Sequence, residues 1–528
     1  MDRRKTEQAL LLALSLAASG CAMVGPDFAQ PDAATASNWL ETSDKKLSRR
    51  ADDHREWWRV FKDPALDHLI ETAYRQNLSL QIAGVRILEA RAQIGVAVGD
   101  LYPQDQHASA LIEKFHLPLR GLSERLPSNE FVNTLWLDRI GLSASWELDL
   151  WGKFRRAIES ADADLLAAIA DYDTILVSLT ADVADAYIRV RTLEKKIDIA
   201  HDNVTAQQGN LEIADAKFKG GSASQRDVEQ ALTVLASTRA TIPKLESQLR
   251  QTKNALCLLL GMPPTSLDKP LQTNTRHALI PAPPVQVAVG IPADLIRRRP
   301  DVRNAEFAAA SQSARIGIAR ANLFPALSLS GSFGFVSSNA TGNSLGDMFQ
   351  WGSHFYRFGP AVQWNLFNYG QITNQVRQQD AAFQAALLSY RNLVLKAQKE
   401  VEDSLIAFLK TQEAAELFAE STAAAQRSLN LATIQYREGI ADFTTVLTAE
   451  QSLLSQQDNL VTTLGEISSN LVGVYRTLGG GWQIREGKEF VPEPIRTAMA
   501  RRTNWGTLLD PLSTPTRQPD SLIRAPDW

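Results

Sequence analysis

The sequence has few cysteines, little net charge and no recognisable catalytic or metal-binding motif. Cys21 and Cys257 are the only cysteines in 528 residues, so the chain has no framework of disulfides. The net charge of −4 argues against a nucleic-acid partner, which would require a basic face. The seven histidines are scattered and form no HExxH pattern, and no CxxC occurs. We therefore expect no enzyme, no metal and no cofactor.

Residues that break helices are absent over an unusually long stretch. No proline occurs between Pro127 and Pro243, and one isolated glycine, Gly209, lies between Phe154 and Phe218. Apolar residues recur there in alternate steps of four and three, which is the period of a coiled-coil seam. The seam consists of Phe154, Ile158, Ala161, Leu165, Ala168, Tyr172, Ile175, Leu179, Val183, Ala186, Val190, Leu193 and Ile197. The pattern predicts a helix of roughly 65 to 70 residues, about 100 Å long, which no compact domain can contain.

The amino terminus has the features of an export signal. Arg3, Arg4 and Lys5 precede a mostly apolar run at residues 9–18, and small residues lead to Cys21. This end resembles a bacterial lipobox, so we expect residues 1–20 to be a lipoprotein signal peptide and residues 21–56 an extended segment acylated at Cys21. A signal peptide cleaved elsewhere is the alternative. Because Ala22, rather than aspartate, follows Cys21, the resemblance indicates the outer membrane.

The chain contains an internal duplication. With a constant offset of 218 positions, Trp146 aligns with Trp364 and Gly221 aligns with Gly439. Upstream of these residues the offset is 222 positions. The period is far longer than that of solenoid repeats, so the repeated unit has the size of a domain. We assign the first repeat to residues 57–261, a Pro-rich linker to 262–292, the second repeat to 293–482 and an irregular tail to 483–528.

Each repeat is predicted to contain two strands before its long helix. Apolar and polar residues alternate over 326–336, 358–366 and 140–148, and less clearly over 106–115. These segments have about the 9 to 11 residues that a membrane strand needs. Four strands cannot close a barrel, so membrane strands would require several chains. The alternative is a small soluble sheet with one face on a helix, but helices of about 100 Å do not fit a compact domain and argue against it.

The order of motifs resembles the TolC-type outer-membrane efflux channels, in particular their lipidated NodT/OprM-like branch. The motifs are Trp57-Trp58-x-x-Phe61-x-Asp63-Pro64, Asp149-Leu150-Trp151-Gly152-Lys153, Ile291-Pro292 to Arg303, Tyr436-x-x-Gly439, and Leu478-Gly479-Gly480-Gly481-Trp482. The resemblance implies a mainly α fold with membrane β-strands. Each unit would be strand, strand, long helix and shorter return helix, and a homotrimer would form a twelve-stranded barrel continued by a periplasmic coiled-coil tunnel.

The turns after the long helices are candidate tips of this tunnel. Gly220 and Gly221 end the first long helix, and Gly439 ends the second. Tyr436 and Gly439 match the family's tip motif, near which aspartates usually ring the closed entrance. Where those acids are often found, this chain has Thr445 and Thr448.

Two aspartates near the tips are alternative gate candidates. Asp227 lies six residues after Gly221, and Asp442 lies near Gly439. Threefold symmetry would turn either carboxylate into a ring that binds cations. The alternative is that each merely stabilises the positive end of a helix. Both interpretations stay open for Asp227, and helix-end stabilisation is preferred for Asp442.

The resemblance implies a passive outer-membrane exit duct for small molecules. Its partners would be a periplasmic adaptor, an inner-membrane pump of the RND or a similar class, and outer-membrane lipid of a Gram-negative bacterium. An exit channel of a type I protein secretion system is one alternative. A non-transporting periplasmic coiled-coil lipoprotein is another, against which the outward aromatic residues of the strands argue. The sequence does not specify the transported substrate.

Overall fold

The computed structural model describes most of the chain as long helices joined to one sheet. The described residues are 23–41, 43–48, 54–116, 134–271, 279–284, 287–288, 296–341 and 343–510. The helices are α1 (Pro64–Gln76), α2 (Leu78–Gly99), α3 (Lys153–Lys219), α4 (Gln225–Leu259), α5 (Pro300–Ala321), α6 (Gln371–Arg437), α7 (Phe443–Thr477) and α8 (Glu493–Arg502). The strands are β1 (Leu47–Ser48), β2 (Asp105–His116), β3 (Thr134–Leu148), β4 (Val287–Ala288), β5 (Ala326–Ser338) and β6 (His354–Gln363).

The main sheet contains four antiparallel strands in the order β2-β3-β5-β6. Strand β2 pairs with β3 along its whole length despite its weak alternation, because the ladder needs backbone groups and not a particular pattern of side chains. The strand expected at 358–366 lies instead at His354–Gln363. Its predicted end was wrong by three residues, because the backbone after Gln363 turns towards α6, with Leu366 N donating to the Trp364 carbonyl at 3.0 Å.

Two long helices of equal length follow the sheet, one after the second strand of each repeat. Helices α3 and α6 have 67 residues each, and their return helices α4 and α7 have 35 each. At about 1.5 Å per residue each long helix extends about 100 Å, as predicted. Each begins after a glycine in the left-handed region, Gly152 at φ 77° and Gly370 at φ 81°, a conformation that glycine adopts without steric cost.

The main apolar core runs along α3 from its second turn to Val190, and a smaller apolar cluster lies at the tips. Helices α2, α4, α5 and α7 and part of α1 pack against α3 there. Seven members of the predicted seam are buried, and a second face that includes Leu176, Tyr187 and Ile188 is buried as well. Cys257 is fully buried. Among the described residues, no helix has the length and hydropathy that crossing a membrane requires.

The carboxy-terminal tail is not irregular throughout, which corrects the prediction for residues 483–528. Residues 493–502 form α8, and Met499 and Val491 pack on Leu88 of α2. The tail passes so close to α2 that a Cβ added at Gly84 would lie 2.3 Å from the Phe490 carbonyl oxygen. Proline at the second helical position is compatible with helix initiation, so proline content alone misled the prediction. Residues 511–528 lie outside the described part.

Candidate functional site

The first tip turn is a glycine-terminated helix end. The Gly221 amide donates to the Phe218 carbonyl at 2.9 Å, and the Ser222 amide donates to the Lys217 carbonyl at 2.9 Å. These two bonds define a Schellman motif, in which one residue must have positive φ. Gly221 has φ +76°, whereas Gly220 keeps the right-handed value of −79°. Of the predicted glycine pair, only Gly221 is therefore required by the backbone.

The second tip turn repeats this geometry. The Gly439 amide donates to the Tyr436 carbonyl at 3.1 Å, and the Ile440 amide donates to the Gln435 carbonyl at 2.9 Å. Gly439 has φ +77°. Asp442 then caps α7 by accepting from the Thr445 amide at 3.2 Å. The same hydrogen-bond pattern thus reverses the chain at both tips.

A lysine connects the two tips directly. Lys217 Nζ donates to the Tyr436 carbonyl oxygen at 2.6 Å and lies 4.8 Å from the centroid of the Tyr436 ring. The same ring contacts Phe443 edge to face, with 5.3 Å between centroids. An apolar cluster surrounds the pair and includes Ala214 and Val446. The end of α3 and the end of α6 are therefore held together around Tyr436.

The structure brings Asp227 and Tyr436, two of the predicted gate residues, to the same place. Asp227 is 8% exposed, lies in the first turn of α4 and accepts from Ser224 Oγ at 2.8 Å. The Tyr436 hydroxyl is buried and makes no hydrogen bond of normal geometry with a described residue. Burial, and secondly the neighbouring Asp227 carboxylate, raise the pKa of the Tyr436 phenol. Asp227 thus serves a helix end and also faces the tip aromatic residue.

The other predicted site residues of the second tip form only local contacts. Asp442 is exposed and accepts from the Thr445 hydroxyl at 3.1 Å. Thr448 is exposed too, and its hydroxyl donates to the Thr444 carbonyl at 2.9 Å. These side chains satisfy the first turn of α7 and do not contact the first tip within the described residues. The two tips therefore differ in chemistry, although their backbones match.

A buried carboxylate near the tips escaped the sequence analysis. Glu450 on α7 is 4% exposed and accepts a hydrogen bond from the Asn210 amide on α3. Burial raises the pKa of the Glu450 carboxyl, and the Asn210 bond opposes the rise. The apolar pattern of α7 could have located it. Glu450 lies seven residues after Phe443 and three before Leu453, so it occupies a position on the helix that faces the core.

No group of acidic, histidine or cysteine side chains in the described ranges has the arrangement of a metal site. Cys21 lies outside the described residues, so its acylation remains a prediction. At the tips, the ends of α3 and α6 are held together by Lys217 and Tyr436, and the buried Asp227 carboxylate lies beside them.

Comparisons with known proteins agree with this architecture. A family model described as "Outer membrane efflux protein" matches residues 69–262 and 291–480, one range for each repeat. The chain is 29% identical over 469 residues to nodulation protein T of Rhizobium leguminosarum bv. viciae, covering 89% of this chain and 92% of that protein. It is 29% identical over 483 residues to the toluene efflux pump outer membrane protein TtgF of Pseudomonas putida, covering 90% and 96%.

A solved structure shows the same fold. The outer-membrane channel OprN superposes with a TM-score of 0.79 at 33% sequence identity, covering 87% of this chain and 99% of that one. The match covers nearly the whole length of that chain.

Proposed function

The chain belongs to the family of outer membrane efflux proteins, and from that premise we propose that three copies form a passive exit duct for small molecules across the outer membrane. The observation that carries the proposal is the pair of 67-residue helices that leave one four-stranded sheet. A helix of this length extends about 100 Å, enough to continue a membrane channel far into the periplasm.

The sheet has the surface expected of strands that face lipid. Exposed apolar side chains project from all four of its strands, including Ile112 (65% exposed), Leu142 (63%), Leu329 (48%) and Phe358 (78%). Aromatic residues favour membrane interfaces because one end of the ring system is apolar and the other polar. A periplasmic coiled-coil lipoprotein would not require such strands, so this alternative has no support from the sheet.

The trimer follows from helix faces that one chain leaves without a partner. Helix α5 packs on both α3 and α6, whereas its counterpart α2 packs on α3 and has no extensive contact with α6 of the same chain. Ile82 of α2 is 55% exposed. Its counterpart in the second repeat is Asn304, which donates to the Ala167 carbonyl of α3 at 2.8 Å. The helices α2 and α5 are counterparts in the two repeats, and so are α6 and α3. Because α5 packs on α3, α2 packs on α6 in the same way, and this α6 belongs to the next subunit.

The tips supply the gate in this proposal. Lys217 and Tyr436 hold the two helix ends of one chain together, and Asp227 faces the same tyrosine. Opening the entrance requires the tips to move apart, and therefore requires these contacts to change. Acylation of Cys21 would anchor the duct in the outer membrane by lipid as well.

The partners in this proposal are a periplasmic adaptor and an inner-membrane pump, because a channel without an energy source cannot concentrate a substrate. The similarity to a toluene efflux protein favours small organic molecules over secreted proteins. An adaptor would contact the exposed outer faces of the return helices near the tips.

Reconstitution tests the proposal. The purified full chain should migrate as a heat-resistant trimer and conduct ions in planar bilayers. A monomeric protein, or a trimer without conductance, would overturn the exit-duct function. Export of a small fluorescent substrate, or of a secreted protein, by cells that carry the chain with its neighbouring pump genes would separate efflux from type I secretion.

A further inference from the structure

The amino-terminal segment follows a defined path over the helices. We call residues 23–41 and 43–48 the amino-terminal strap. Gln30 Nε2 donates to Glu306 of α5 at 3.1 Å, and the amide of Leu40 donates to Glu402 of α6 at 2.9 Å. The strap ends in β1, which pairs with β4 of the linker. It therefore connects the junction of sheet and helices with the middle of α6.

The strap begins in close contact with glycines of that junction. Met23 lies on Gly152, where an added Cβ would be 2.7 Å from Met23 Cγ. Gly25, at φ +104°, lies on Gly317 of α5, where the distance from an added Cβ to the Gly317 Cα is 2.5 Å. The Val24 amide donates to the Trp151 carbonyl at 3.0 Å. Any larger side chain at these glycines would displace the strap.

Arg156 of α3 closes over the strap. The residue is 1% exposed, and its guanidinium donates to the carbonyls of Val24 at 3.3 Å and Gly25 at 3.5 Å. It also forms ion pairs with Asp27 at 2.7 Å and Glu159 at 2.6 Å. A buried guanidinium is costly unless its donors are bonded, and three of these four partners belong to the strap.

The second repeat serves as an internal control. The counterparts of Gly152, Arg156 and Gly317 are Gly370, Asn374 and Gly95. We call the site formed by Gly152, Arg156 and Gly317 the first junction. Both of its glycines have a glycine as counterpart in the other repeat, but the counterpart of its arginine is Asn374. The strap occupies the junction that has the arginine.

This junction lies where the sheet meets the helices. Trp151 stacks on Phe324 with 4.6 Å between ring centroids, and its Nε1 donates to the Pro325 carbonyl at 2.8 Å. Pro325 immediately precedes β5. Cys21 is two residues before Met23, and two residues reach at most about 7 Å. Met23, at the start of the described strap, therefore lies beside the end of the sheet, and the proposed acylation site precedes it by two positions.

We propose that the first junction is a binding site for the chain's own amino end, with Arg156 as its positioning residue, and that it fixes where the lipid anchor meets the membrane. The inference rests on the proposed outer-membrane function and on acylation of Cys21. Without the site, the lipid anchor would be connected to the channel by a free segment, and its position around the sheet would not be determined.

A labelling experiment tests the site in the full-length trimer. Val24→Cys reports on the strap, since Cys257 is buried and an acylated Cys21 cannot react with a maleimide. Reaction with a water-soluble maleimide should be slow in this background and about tenfold or more faster with Arg156→Ala, because the charge-assisted hydrogen bonds to the strap are lost. Gly25→Ala changes the strap alone and should have the same effect. Arg315→Ala, which removes an exposed ion pair with Asp164 of α3, is the control and should leave the rate unchanged.

Three results would overturn the proposal: fast labelling without any junction variant, no acceleration by either Arg156→Ala or Gly25→Ala, or equal acceleration by Arg315→Ala. A Cys21→Ser chain separates the site from the lipid. Labelling that stays slow there supports the site, whereas fast labelling would show that the lipid holds the strap. Conductance of the same samples is measured in parallel, so a failed channel is distinguished from a failed binding site.

Discussion

At the scale of residues, the tips show how identical backbones can support different chemistry. Both helix ends use a glycine at positive φ, and both are followed by a return helix. The first tip then buries Asp227 beside Tyr436, whereas the second places Thr445 at the equivalent position and exposes it. The asymmetry places a buried carboxylate beside Tyr436 on one return helix, α4, and an exposed hydroxyl at the equivalent position of the other.

Backbone conformation at the first tip gives a matched pair of variants. Gly221→Ala should destabilise the tip by about 1 kcal/mol, because alanine is strained at positive φ. Gly220→Ala should have little effect, since Gly220 has an ordinary right-handed φ. Hydrogen exchange of the amides in residues 214–230 measures both. Equal effects of the two variants would contradict the assignment of Gly221 to the strained position.

Removing the carboxylate at the first tip should loosen the entrance. Asp227→Asn should raise channel conductance or weaken block by divalent cations, because the charge beside Tyr436 is lost. Asp442→Asn is the control, since Asp442 bonds only within its own turn. Single-channel recording with and without Mg²⁺ checks both variants. If Asp227→Asn conducts like the unmodified channel, Asp227 is an ordinary helix-end charge.

Glu450 predicts a pH dependence with a defined sign. Burial raises the pKa of its carboxyl above the value of an unfolded chain, so the folded state binds the proton more tightly. Stability should therefore rise as the pH falls through this raised pKa, and the ionised carboxylate should destabilise the fold at neutral pH. Glu450→Gln, which still accepts from Asn210, should raise Tm at pH 7 and flatten the slope. A lower Tm at pH 7 would contradict this account.

At the scale of elements, the tail that carries α8 passes α2 at a point that leaves no room for a side chain. Gly84→Ala would put a Cβ 2.3 Å from the Phe490 carbonyl oxygen, so the tail should detach and become cleavable by protease between residues 486 and 510. Gly99→Ala on the same helix meets nothing within 4 Å and should leave the tail protected. Mass spectrometry of the fragments measures the difference, and an intact tail in the Gly84 variant would refute the contact.

At the scale of the whole molecule, the duplication makes the trimer a repetition of contacts within one chain. Ile82→Asp should weaken the trimer, because it places a charge where α2 is proposed to meet α6 of the next subunit. Leu279→Asp, at a residue 79% exposed in the linker, controls for added charge. Resistance of the trimer to heat in detergent gels is the measurement, and unchanged resistance of the Ile82 variant would place the interface elsewhere.

The sequence by itself determined the duplication, the two 67-residue helices and the positions of the tip turns, because these follow from local periodicity and from residues that stop a helix. It also located all four strands, although β3 begins six residues and β6 four residues earlier than predicted, and β6 ends three residues earlier. Only the tertiary structure decided that Asp227 faces Tyr436, that Glu450 bonds to Asn210 and that Arg156 holds the strap. These contacts join residues more than 100 positions apart, and they depend on how each helix is rotated against its neighbours. Rotation is set by packing of the whole assembly, which no local pattern of residues specifies.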